Sequence, residues 1–138
     1  MATVARLASP ACFKFLTRWL LGGLFVVAGI LHFAKTPFYV AIMPPYLPWP
    51  LQLVYVSGTA EIGLGALLLS RRWKVWAAWG LVALIVAVFP ANIHMATHSD
   101  LYPSIPEWAL WLRLPLQGIL IAWAYWYTRG SSAHPRAK

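Results

Sequence analysis

An acid stands in the middle of an almost wholly apolar stretch, residues 56–69, VSGTAEIGLGALLL. It is Glu61, one of only three acidic residues in the chain. A carboxyl group at the centre of a bilayer costs about 2.5–3.5 kcal/mol on insertion scales, and an intramembrane ionisable residue marks a functional site by default. Ser57, Glu61 and Gly65 follow one another at intervals of four, so they share a helix face. Arg113 and Gln117 repeat that spacing in a second apolar run, WALWLRLPLQGILIAWAYWY. His32 and Asn92 stand near the ends of two further runs. These five side chains supply a carboxyl, a permanent cation, two amides and an imidazole. That set can hold the polar head of an amphiphile, form a buried ion pair, or move a proton. Arg113 is the natural counter-ion for Glu61, and whether it holds that acid is the first question the sequence raises.

Each residue also has a purely structural use. A Glu61–Arg113 pair can fix helix register. Asn92 can bond a neighbouring helix or the carbonyl freed by Pro90, and Gln117 can do the same. His32 can be an interfacial histidine. His94 and His98 are four apart, a spacing that places two ligands on one metal. No cysteine or nearby acid completes a set, so metal is the minority reading. Asn92 and His94 are about 200° apart on a helix and do not share a face. Two histidines on different helices can ligate haem, but His32 and His94 fall at the rim on diagonal helices, which speaks against it.

The positioning elements follow from composition. Of 138 residues, 61% are hydrophobic and 10% charged, too few charges to coat a soluble globule. The chain therefore reads as an all-α membrane protein whose partner is the lipid bilayer. Four apolar runs, residues 17–33, 51–69, 75–94 and 108–127, are each near the length of a spanning helix, about 17–25 residues. In the first, Gly22, Phe25, Gly29 and His32 share one face. The segment TPFYVAIMPPYLPWP reads as a short helix over 38–43, capped by Thr36 and stopped by Pro44-Pro45, then a rigid aromatic loop at the interface. Ser104 and Glu107 fit a capping box before the last run.

Charge gives the orientation. Arg6, Lys14 and Arg18 precede or open the first run. Arg71, Arg72 and Lys74 separate the second and third, and Arg129, Arg136 and Lys138 follow the fourth. The other two connections hold only Lys35. The positive-inside rule then places both termini in the cytoplasm. The expected architecture is a four-helix transmembrane up-down bundle at residues 17–127, with a cytoplasmic segment at 1–16, broken at Pro10, and a basic cytoplasmic tail at 128–138. On a rise of 1.5 Å per residue, Glu61 lies roughly 15 Å into its helix, Arg113 roughly 8 Å below the outer surface and Gln117 roughly 14 Å. The polar set thus defines an outer-half pocket. The net charge of +8 does not point to nucleic acid, because the basic residues are grouped by position rather than patched with stacking aromatics. The single cysteine, Cys12, excludes an internal disulfide and dithiol chemistry.

The motifs AGILHF, FYVAIMPPYLPWP, VSGTAEIGLGALLL, FPANIHMA and WLRLPLQGILIAWAYWY, taken together and in this order, resemble the DoxX-like family of small bacterial membrane proteins. That resemblance covers nearly all of residues 17–127 and implies a four-helix bundle in a bacterial inner membrane. The family's name derives from a subunit associated with thiosulfate:quinone oxidoreductase, and relatives are linked to membrane redox or oxidative-stress systems, though most are uncharacterised. One branch is tied to disulfide formation, a role this chain's lone cysteine does not support. The expectation is a redox-associated accessory binding a quinone-like or other small amphiphile, with a membrane or redox protein, or a further copy of itself, as partner. Two alternatives stand beside it. One is a structural or assembly subunit of a membrane complex. The other is an enzyme on a lipophilic substrate with Glu61 as catalytic acid or base.

Overall fold

A computed structural model describes residues 10–129. Arg6, Arg136 and Lys138 of the charge argument, with most of the expected N-terminal segment and tail, lie outside those residues. The described chain is helical, with no strand. Helix α1 spans Pro10–Ala34, α2 Thr36–Ala41, α3 Pro50–Leu69, α4 Lys74–Thr97 and α5 Glu107–Thr128, with a 3₁₀ turn at Ser99–Leu101 between the last two. Three helical segments are long and apolar enough to cross a membrane, Ala11–Ala34, Pro50–Leu69 and Lys74–Thr97. At 22 residues, α5 has the length, but Glu107, Arg113 and Gln117 and its many Trp and Tyr residues lower its hydropathy.

Helix α1 begins earlier than the sequence suggested. Proline in a first helical turn breaks nothing, because its missing N–H would have had no partner there. Residues 10–16 accordingly form the first turns of α1. Thr36 does not cap α2. Lys35 holds the cap position without a side-chain bond, and the Thr36 hydroxyl donates back to the carbonyls of His32 (2.8 Å) and Phe33 (2.9 Å). The capping box before α5 is also absent. Pro106 is the cap residue, no side chain caps the helix, and Glu107 is already its first residue. Proline has fixed the entry angle, so the chain turns into the helix without help from Ser104. Trp49, between two prolines, has φ 52°, a left-handed conformation that strains a bulky residue as it leads into α3.

The helices pack as two pairs, α1 with α3 and α4 with α5, joined mainly through α3 and α4. The first pair meets backbone to backbone. A Cβ added at Gly29 would stand 2.5 Å from the Gly58 carbonyl oxygen, and one at Gly65 2.8 Å from the Gly22 carbonyl oxygen. Lipid offers no hydrophobic drive for helix association, so close approach through small residues takes its place. The Gly22, Phe25 and Gly29 face foreseen from spacing is this seam. The main core brings Leu21, Phe25, Leu68, Leu81, Ile85 and Tyr127 together from all four long helices. A second cluster, Met95, Ala96, Tyr102 and Leu110, lies where α4 runs toward the 98–106 loop. Around both, Trp76, Trp108, Leu20, Val56 and Ile119 point outward, as a lipid-facing surface requires.

Candidate functional site

Between the two clusters the helix pairs do not fill the space. Two cavities remain, of about 210 Å³ and about 290 Å³, with Glu61, Val88, Asn92 and Arg113 in the walls of both. His32, Tyr39, Ser57 and Met95 belong to the smaller one. Phe25, Ile85, Leu116 and Gln117 belong to the larger. Four helices thus converge on one polar group of residues, and all five chosen from the sequence line this space.

Glu61 is placed by the glycine seam. Its helix can approach α1 only because Gly58 and Gly65 flank it, and this brings it against His32 on the last turn of α1. Its Oε2 lies 3.4 Å from His32 Nδ1. That nitrogen has another partner, the Ala28 carbonyl at 2.9 Å. A carbonyl can only accept, so in that bond Nδ1 carries the hydrogen and donates it away from the acid. Glu61 Oε2 is left buried without a hydrogen-bond partner among the described residues. The His32 ring is held flat against Tyr39, with ring centroids 3.9 Å apart and planes 23° apart.

The expected ion pair between Glu61 and Arg113 does not form: among the described residues the contact to the acid is from His32. The reason is topological. Helix α5 packs chiefly on α4, which keeps Arg113 away from α3. Among the described residues its Nη1 reaches the Met95 sulfur, at 3.9 Å, a weak acceptor. Glu61 and Arg113 thus line the same cavities without pairing, and among the described residues the buried Oε2 has no donor and the guanidinium no carboxylate.

The two amides are satisfied. Asn92 Nδ2 donates to Gln117 Oε1 at 2.9 Å, and Gln117 Nε2 donates to the Ile85 carbonyl at 2.5 Å. Gln117 is 4% exposed, so an unpaired amide there would be costly. Pro90 and Pro115 interrupt the ladders of α4 and α5 near this chain of bonds. The bonded carbonyl is that of Ile85, one residue before the one Pro90 frees.

A family model described as a domain of unknown function, DUF8561, matches residues 21–128. The chain belongs to this family. No curated protein matches it, and no solved structure does. The DUF8561 region contains His32, Glu61, Asn92, Arg113 and Gln117, so the whole cavity wall is family territory.

Within that region, His94 and His98 take no part in the site. Their rings stack on each other at 4.3 Å, and Tyr46 packs edge-on against His94. His98 Nδ1 is within 3.1 Å of the His94 carbonyl. Among the described residues no three metal-ligating side chains come together. Tyr39 is the wall residue that sequence reasoning passed over. It stands seven residues after His32, which would put both on one helical face. The break at Lys35 is short enough for that register to survive. Burial pushes the Tyr39 phenol above its ordinary value, nearby Glu61 pushes it further, and Arg113 opposes both. Ile42 and Met43 also join the wall, so part of the aromatic connection covers the cavity.

Proposed function

We propose that this protein binds the polar head of a small amphiphile, quinone-like in chemistry, in the Glu61–Arg113 cavities, and serves a membrane redox system as an accessory. The observation that carries this reading is the orphaned Glu61 Oε2 beside an Arg113 that lacks a carboxylate. A carboxyl and a guanidinium that line one void without pairing with each other form a site in which a ligand can complete the hydrogen bonding. The quinone class rests on the mixed wall: a donor in Arg113, phenol and imidazole in Tyr39 and His32, and apolar Phe25, Leu84, Leu116 and Leu120 beside them. The redox association rests on the DoxX-like motifs. The four long helices are read as a transmembrane up-down bundle in a bacterial inner membrane, with both termini cytoplasmic and the cavities in the outer half. The support for this orientation is the charge asymmetry of the connections.

The test is native mass spectrometry and an absorption spectrum of the gently purified protein, followed by titration with a short-chain quinone. Retention or binding that falls at least about tenfold in Arg113→Gln supports the reading, since a hydrogen bond to a charged group is worth about 1.5–3 kcal/mol. Binding that persists when Val88→Phe fills the shared wall overturns it. Reporter fusions at the C-terminus and in the 98–106 loop test the orientation.

A second reading has its own support. The Asn92–Gln117–Ile85 bonds tie α4 to α5 and need no ligand, as expected of a structural or assembly subunit. Loss of a partner protein on surface substitution, with Glu61→Gln silent in every assay, would favour it.

A further inference from the structure

At the opposite end of the helices a third cavity, of about 280 Å³, is lined by Lys14, Arg18, Arg71, Lys74 and Tyr127, with Ala11 and Phe15. The beginning of α1, the α3–α4 turn and the end of α5 come together there. Four positively charged groups share this space, and among the described residues no acid lines it. The chain's three acids are Glu61, Asp100 and Glu107, and the described structure places all of them elsewhere. Mutual repulsion of four cations opposes bringing them together, so the arrangement calls for an anion.

Arg18 is the decisive residue. It is only 8% exposed, and its Nε is buried without a hydrogen-bond partner among the described residues. A guanidinium is rarely this deep unless it is paired. Phe15 supports its planar group, with the ring centroid 5.7 Å from Cζ. Tyr127 fixes the wall opposite, its hydroxyl 2.7 Å from the Thr17 hydroxyl and donating to the Lys14 carbonyl at 3.4 Å. The site is built from folded elements, and Arg18 lines it with a guanidinium whose Nε has no partner among the described residues.

We propose that this basic cavity binds a phosphate group. Arginine's donor fork matches phosphate geometry, and lysine adds point charge. Basic pockets between transmembrane helices are suited to anionic lipid headgroups. The same chemistry is presented by an anionic phospholipid or by free phosphate. Exposed Trp19, Trp73 and Trp76 stand on the neighbouring helices and turn, an apolar frame suited to acyl chains.

The experiment uses the full chain in two arms. One compares thermal stability and lipid retention in vesicles of phosphatidylcholine with and without phosphatidylglycerol. The other adds inorganic phosphate to the detergent-purified protein. Arg71→Gln, Lys74→Gln and Arg18→Gln are compared with Arg72→Gln. Arg72 carries the same charge one residue away but stacks on Trp73, outside the cavity. The expected result is preferential retention of phosphatidylglycerol, reduced about tenfold or more by Arg71→Gln, with Arg72→Gln unchanged. Protection by inorganic phosphate with the same variant pattern assigns a soluble phosphate source and keeps the site. Equal loss in Arg72→Gln and Arg71→Gln, or no dependence on either anion, overturns the proposal. If Arg18→Gln fails to fold, the exposed Arg71 still decides.

Discussion

The two ends of this molecule handle charge in opposite ways. At the Glu61 end, one carboxyl, one guanidinium and an imidazole share a space, and the amides beside them are already bonded to each other. At the Arg18 end, four cations share a cavity that no acid lines among the described residues. The first arrangement is close to balanced, so it suits a ligand that both donates and accepts. The second is unbalanced and suits only an anion. The contrast shows that local charge sum, rather than cavity size, separates the two sites, since their volumes are similar.

One glycine seam runs past both ends, and substitutions in it should give the largest effects. Gly29→Val would set its Cβ 2.5 Å from the Gly58 carbonyl and 2.9 Å from the Ile62 nitrogen, both backbone atoms that cannot swing away. The expected loss is about 1–3 kcal/mol or more in reversible unfolding, with His32 driven off Glu61. Gly23→Val, where nothing lies within 4 Å, should stay within about 0.5 kcal/mol. If Gly29→Val weakens phosphate-dependent stabilisation as much as quinone binding, the two ends are not independent and the comparison breaks.

Next in size is Gln117→Leu, which strands the Asn92 amide and removes the bond to Ile85. The expected cost is about 1–3 kcal/mol for the stranded group. A double-mutant cycle with Asn92→Leu should return a coupling of about 0.6–1.7 kcal/mol, the membrane range. No coupling would mean that these amides are not tied to one another, and would weaken the structural reading of this end. Smaller still is Tyr39→Phe, which keeps the ring on His32 and deletes only the hydroxyl. Stability should change by less than about 1 kcal/mol, and any fall in quinone affinity then belongs to the hydroxyl. The smallest effect is electrostatic. Glu61→Gln should bring the Tyr39 phenol part of the way back toward 10.0, burial remaining as the larger cause. Folded Tyr39 keeps its proton longer than in the unfolded chain, so its contribution to stability is present below pH 10.0 and declines as pH rises through the folded value. A spectroscopic titration of tyrosinate with and without the variant reads this shift.

Much of this was legible in single residues. Glu61, Arg113, Gln117, Asn92 and His32 announced themselves as polar groups in apolar runs, because burial of such groups is too costly to be incidental. The seam was visible in Gly22 and Gly29 on one face. The caps expected at Thr36 and Ser104 do not form, because Thr36 bonds back to His32 and Phe33 and Pro106 holds the cap position before α5. The Arg18 cavity was hidden for another reason. Its cations had been counted as topology signals, and a sum along the chain does not say that Lys14, Arg18, Arg71 and Lys74 meet.

The sequence by itself determined that this is a helical, membrane-type chain with a carboxyl among apolar neighbours, since composition and period are local properties. It also marked five of the residues that line the polar space, though not Tyr39. Only the tertiary structure decided who partners whom. Helix α5 lies against α4 and α1 against α3, so His32 rather than Arg113 reaches Glu61, and the guanidinium is left facing a void. Pairing depends on which helices touch, and helix contact is set by glycine placement and packing that no single stretch contains.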